Sequence, residues 1–204
     1  MSTSAPPRSI ALASGNAHKA QEWQALLPGW RVETLDMRDA PAETGHTFGA
    51  NALAKARFGA TVASAGGWVL GEDSGLAVAT LGGAPGIRSA RYAGEGATDA
   101  DNMTLLLAEM AGASDRRARF VCSAACLLSE GPDVEGERPT LHADGVLEGE
   151  IAQAPRGDAG FGYDPIFVPA GEVKTVAELG EGWKQARSHR AQAAKHLLEQ
   201  LDRW

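Results

Sequence analysis

Two adjacent carboxylates, Glu72 and Asp73, close the apolar run Trp68-Val69-Leu70 and lead into GLAVATLGGAPGIRSARYAG. The run reads as the end of a buried strand. A solvated acidic turn is the ordinary account of such a pair, because an unpaired buried carboxylate is costly. The alternative is a partner: a cation, a metal or an aimed water. Glu43 lies upstream, before Thr44-Gly45. Three acidic groups with open positions would suit Mg²⁺, a hard ion held by few carboxylates plus substrate phosphates. The glycines and Pro85 mark a turn region where backbone comes close to something.

Four further groups carry possible chemistry. Ser14-Gly15-Asn16-Ala17-His18-Lys19 lies between a strand and a helix N-terminus. Amide groups, helix dipole and Lys19 favour an anion there, although no Walker A pattern is present. Asn16 as a plain helix cap explains the same residues. Asn51 and Lys55 stand four apart on one helix face, where a solvated lysine is the common outcome. Phe161-Gly162-Tyr163-Asp164 offers aromatic faces beside a flexible backbone, suited to stacking a planar base or to packing a turn. In Lys184-Gln185-Ala186-Arg187-Ser188-His189-Arg190, Ser188 caps a helix whose first turn is cationic. The dipole disfavours that charge, so an anion or polar oxygen would relieve it.

The elements that must position these groups alternate. Residues 9–14 read as a strand, 17–27 as a helix with Trp23, Leu26 and Leu27 on one face, and 30–35 as a second strand. A helix is expected over 47–65. Another opens at Thr98, with Asp101 in a capping-box position. Strands are expected over 119–129, 141–151 and 165–168, an exposed hairpin loop over 130–139, and a terminal helix over 188–204. This order implies an α/β fold: a bent mixed sheet flanked by helices, with two lobes and a central cleft. Residues 9–204 are expected to form one domain and 1–8 a flexible leader.

Bulk properties narrow the class. The chain has 204 residues, is 44% hydrophobic and 22% charged, and carries a net charge of −7. That balance argues against a nucleic-acid polymer as partner but permits a local anion pocket. Cys122 and Cys126 share a strand face roughly 13 Å apart, too far for a disulfide. They read as buried thiols in a reducing compartment. No membrane-spanning run and no signal-peptide core are present, which leads to a cytoplasmic expectation.

Taken together the motifs resemble one family. Leu-Ala-Ser-Gly-Asn, Thr-Phe…Asn-Ala-Leu-x-Lys-Ala-Arg, Asp-Ser-Gly-Leu…Leu-Gly-Gly-Ala-Pro-Gly…Ser-Ala-Arg-Tyr-Ala-Gly, Gly-Phe-Gly-Tyr-Asp-Pro-Ile-Phe and Ser-His-Arg stand here in order. They resemble the non-canonical purine NTP pyrophosphatases, the inosine triphosphatase (Ham1-like, dITP/XTP) family, over about residues 9–201. The resemblance implies a Mg²⁺-dependent hydrolase, usually a homodimer, that cleaves ITP, dITP and XTP between the α- and β-phosphates. It implies that residues 14–19 hold the triphosphate, that Lys55 binds substrate, and that Asp73 is the general base. It also makes Glu43, Glu72 and Asp73 metal candidates and Ser74 a substrate contact. Phe161, Gly162, Tyr163, Asp164, Lys184, His189 and Arg190 would line the base pocket. Arg88 and Arg91 serve phosphate or structure.

Three departures stand out. Gly49 and Ala50 replace the acids usual after Thr47-Phe48, removing a capping box. His18 replaces a small or basic residue, and Ala42 precedes Glu43 where some relatives carry an acid. Two other readings stay open: a Maf-like pyrophosphatase of different base specificity, and a non-catalytic nucleotide-binding protein.

Overall fold

The computed structural model describes residues 8–64, 66–130 and 138–204. Residues 1–7 of the expected leader and 131–137 of the expected hairpin loop lie outside the described residues. Among the described residues six strands form one mixed sheet: β1 Arg8–Ala13, β2 Trp30–Thr34, β3 Trp68–Val78, β4 Arg117–Leu128, β5 Thr140–Ile151 and β6 Phe167–Pro169. Their order is β2-β1-β3-β4-β5-β6. β1 pairs in parallel with β2 and with β3, whereas β5 and β6 are antiparallel. Five α-helices among the described residues accompany the sheet: α1 Ala17–Leu26, α2 Phe48–Val62, α3 Asp99–Glu109, α4 Val176–Arg187 and α5 His189–Leu201.

The chain divides into two compact units. The first comprises Met1–Asp73, Ser123–Ala143 and Ala193–Trp204. Its opening β1-α1-β2-α2-β3 succession follows from apolar runs separated by capped helices. Asn16 caps α1 through the amide of Lys19, and Thr47 caps α2 through the amide of Ala50. With Ala at position 50, the Thr47 cap has no reciprocal acid. Trp23 and Leu27 are fully buried, as the helical spacing predicts. Ala13, Ala52, Ala56, Val69, Ala125 and Leu127 pack together, and small residues let α2 lie close to the sheet.

Gly71 marks the closest approach. A Cβ there would stand 2.1 Å from the Ala52 carbonyl oxygen and 2.4 Å from the Ala56 amide nitrogen. Both are backbone atoms, so α2 itself would have to move. Gly71→Ala is therefore expected to cost about 3 kcal/mol, at the upper end of core overpacking. A lower urea midpoint at unchanged slope would report it; an unchanged midpoint would show that α2 yields freely.

The second unit comprises Ser74–Cys122 and Asp144–Gln192. Leu76, Leu106, Met110, Phe120, Ile151 and Phe167 belong to its core. The capping box at Thr98 forms as expected, with both reciprocal bonds to Asp101. A second box, Thr175 with Glu178, starts α4, which the sequence pattern did not announce. Gly180 has φ 80° inside α4, so two helical segments meet there. Ser188 ends α4, and its hydroxyl accepts from the Ala191 amide in the first turn of α5.

Two strand boundaries differ from expectation. β3 does not end at Leu70; it continues through Glu72 and Asp73 to Val78. The two acids are buried, at 0% and 5% exposure, and their partners come from helices distant in sequence. The expected 165–168 strand begins later, at Phe167, after a 3-10 turn over Asp164–Ile166. Cys122 and Cys126 are buried free thiols, and burial pushes the Cys126 thiol well above its ordinary pKa. Among the described residues no helix is long and apolar enough to cross a membrane.

Candidate active site

Successive strand residues point to opposite faces, which separates the adjacent acids. Glu72 meets α1: its Oε2 lies 3.0 Å from Lys19 Nζ. Asp73 meets α2. Asn51 Nδ2 donates to its Oδ2 at 3.0 Å, and Lys55 Nζ donates to its Oδ1 at 2.8 Å. Asn51 and Lys55 are one helical turn apart, so one face of α2 reaches both carboxylate oxygens. Lys55 Nζ also donates to the Glu72 carbonyl at 3.2 Å and pairs with Glu43 Oε1 at 2.6 Å. Burial opposes the charge of Lys55, but Asp73 and Glu43 outweigh it and hold the ammonium above its ordinary pKa. Lys55, a lysine of a kind commonly solvated, is instead the centre of an ionic cluster.

The expected three-carboxylate metal set does not assemble, because Glu72 faces α1. Among the described residues no group of three His, Cys, Asp or Glu side chains is placed to hold a metal. Glu43 and Asp73 do converge, on either side of one ammonium. Two converging carboxylates supply the hard oxygen donors that Mg²⁺ takes, so this donor set fits the ion.

The 14–19 segment forms the turn into α1. The Asn16 amide donates to Ser14 Oγ at 3.2 Å, and Asn16 Oδ1 accepts from the Lys19 amide at 3.1 Å. Ser14, Gly15, Asn16 and Ala17 line a pocket of about 450 Å³ whose other wall is formed by residues 34–38. The start of α1 gives this pocket a positive dipole end. His18 is exposed in the first turn of α1.

In the second unit, Phe161 to Asp164 form a tightly held loop. Asp164 Oδ2 accepts from the Phe161 amide at 2.9 Å and from Lys184 Nζ at 2.6 Å. Gly160 has φ 80°, and a Cβ there would stand 2.2 Å from that same carboxylate oxygen. Gly162, at φ 64°, donates its amide to Asp99 Oδ2 at 2.6 Å. Tyr163 donates its hydroxyl to the Ser89 carbonyl at 2.9 Å. Lys184 Nζ lies 4.3 Å and the Arg190 guanidinium carbon 5.8 Å from the Phe161 ring centroid. Arg190 also donates to Ser74 Oγ at 2.9 Å. His189 stacks on Phe120, with centroids 4.8 Å apart and an 11° interplanar angle. Arg91, one of the two arginines of undecided role, lies 3.7 Å from Glu95.

Phe161, Asp164, Lys184 and Arg190, with Ser74, thus form one group, and Lys19, Glu43, Lys55, Glu72 and Asp73 another. Asp99 escaped sequence reasoning: an acid at the start of a helix looks like simple dipole compensation.

Residues 10–200 match the Ham1 family. The chain belongs to that family. A dITP/XTP pyrophosphatase from Aromatoleum aromaticum is 47% identical over 196 residues, covering 94% of this chain and 96% of the relative. The dITP/XTP pyrophosphatase of Escherichia coli K12 is 44% identical over 199 residues, covering 94% and 97%. Among solved structures, a Ham1 protein from Coxiella burnetii superposes with TM-score 0.82 at 41% identity, covering 97% of this chain and all of that one. The Ham1 protein of Staphylococcus aureus gives TM-score 0.80 at 38% identity, covering 96% and 98%. The mixed sheet with flanking helices is therefore the Ham1 fold.

Proposed function

We propose that this member of the Ham1 family hydrolyses ITP, dITP and XTP to the monophosphate and pyrophosphate, removing deaminated purines from the nucleotide pool as a homodimer. The carrying observation is Asp73: a buried carboxylate with one oxygen on Asn51 and the other on Lys55. Such an acid can take a proton from an attacking water, whereas simple nucleotide binding gives no reason to bury an acid among phosphate-binding groups.

In this reading the 14–19 turn and Lys19 receive the triphosphate, with Glu72 holding Lys19 in place. Asp73 aims the water, and Lys55 holds that carboxylate in its orientation. Glu43 and Asp73 would hold Mg²⁺, which supplies charge neutralisation at the phosphates when bound. Ser74, Phe161 to Asp164, Lys184, His189 and Arg190 serve the nucleoside end. Phosphoryl chemistry of this kind rests on positioning and electrostatics more than on a side-chain nucleophile.

Product analysis across a panel of nucleoside triphosphates with Mg²⁺ tests the assignment. Pyrophosphate with monophosphate is expected from ITP and XTP; orthophosphate with diphosphate would place cleavage at the wrong bond. Turnover is also expected to require the divalent ion and to rise towards alkaline pH, since the attacking water reacts more readily as it loses its proton. Undiminished turnover in excess chelator would remove the metal from the scheme.

A further inference from the structure

We propose that Asn51 is the positioning residue of the site: it fixes the plane of the Asp73 carboxylate, and Gly45 fixes Asn51. The inference rests on the assignment of Asp73 as the base. Asn51 is 1% exposed, and its amide orientation is decided by chemistry. An ionised carboxylate only accepts hydrogen bonds, so Nδ2 must face Asp73 Oδ2, at 3.0 Å. That turns Oδ1 to the other side, where it has no hydrogen-bond partner among the described residues. A buried carbonyl left in this state is unfavourable, and a purely packing role at this position would be filled better by an apolar side chain. What the amide gains is its donor on Asp73.

Asp73 needs that donor for a geometric reason. The terminal torsion of an aspartate is broad and weakly restrained. Lys55 Nζ holds Oδ1 alone, which leaves the carboxylate free to swing about that point. A second contact on Oδ2 from the preceding turn of α2 fixes the plane, and with it the direction in which the base presents a lone pair. Misplacement of a reacting group by about 1 Å costs on the order of 10²-fold in rate.

Gly45 closes the arrangement from behind. A Cβ at this residue would stand 2.3 Å from Asn51 Oδ1 and 3.1 Å from Asn51 Cγ. Its backbone is not in the left-handed region, so the requirement for glycine is space and not conformation. Any side chain at position 45 would push the amide away from its place against Asp73.

The test is a set of kinetic cycles with ITP and Mg²⁺, each variant normalised to its folded fraction. Asn51→Ala is expected to lower kcat by about 10- to 10²-fold while KM changes less than about threefold. Gly45→Ala, which touches no reacting group, is expected to lower kcat in the same way. In the Asn51→Ala background Gly45→Ala should add almost nothing, because its effect passes through the amide. Asn51→Ala should likewise add almost nothing to Asp73→Asn. Should Asn51→Ala fail to fold, Asn51→Ser and Gly45→Ala carry the same readout. Wild-type kcat in the position-51 variant beside an inactive Asp73→Asn would overturn the positioning role and leave the base in place. A fully active Asp73→Asn would instead overturn the base assignment itself. Additive effects of the two substitutions would break the link from Gly45 to Asn51.

Discussion

Asp73→Asn is expected to lower kcat by about 10²–10⁴-fold, the range for loss of a general base, while the protein stays folded. Asparagine matches aspartate in shape, so β3 and the packing of α2 are undisturbed. The ionic cluster survives in part, because Lys55 keeps Glu43 at 2.6 Å. One contact must adjust: the new amide accepts from Lys55 Nζ on one side and donates on the other, so Asn51 has to turn its Oδ1 towards it. The stability loss should therefore be modest and the rate loss large. Thermal unfolding and kcat measured on the same preparation separate them. A large fall in melting temperature with full turnover in the folded fraction would make Asp73 a structural residue.

The second large effect concerns the base. ITP and XTP are expected to exceed ATP by at least about 10²-fold in kcat/KM. The donors of Lys184 and Arg190 gather around Phe161, and His189 sits in the same segment. A 6-oxo purine brings an acceptor to such donors, whereas adenine brings an amino donor. Each buried donor left facing a donor costs roughly 1–3 kcal/mol, so one or two mismatches suffice. One bond of Lys184 goes to Asp164, which fixes the ammonium beside the Phe161 ring. GTP is also expected to be poor, since its 2-amino group adds a donor. Equal kcat/KM for ATP and ITP would sink the pocket assignment even if pyrophosphate release confirmed the chemistry.

Local signals carried most of the fold. Thr98 and Asp101 announce their helix because both partners of the box lie within one turn, and Trp23 and Leu27 reveal a buried face through spacing alone. α4 was harder. Its own box, Thr175 with Glu178, stands in the sequence, but Gly180 and Gly182 interrupt the helical pattern behind it. The extent of β3 was not legible at all. Whether a strand continues through two acids depends on Lys19, Asn51 and Lys55, which reach them from other elements. The same holds for Asp99, whose partner Gly162 is 63 residues away. Candidate site residues could be named from motifs; which group holds which was set by tertiary neighbours.

Gly71, Glu72 and Asp73 follow one another on β3, and each has a different neighbour. The bare glycine admits the α2 backbone, the glutamate turns to Lys19 of α1, and the aspartate turns back to Asn51 and Lys55. Inserting or deleting a single residue just upstream would exchange the faces of all three. A deletion would press the Glu72 carboxylate on the helix backbone where now there is no side chain, and an insertion would set Gly71 opposite Lys19, which would lose its counter-charge. The stretch can drift by substitution at a graded cost, but its reading frame along the strand is locked, whereas surface loops accept added residues at little cost.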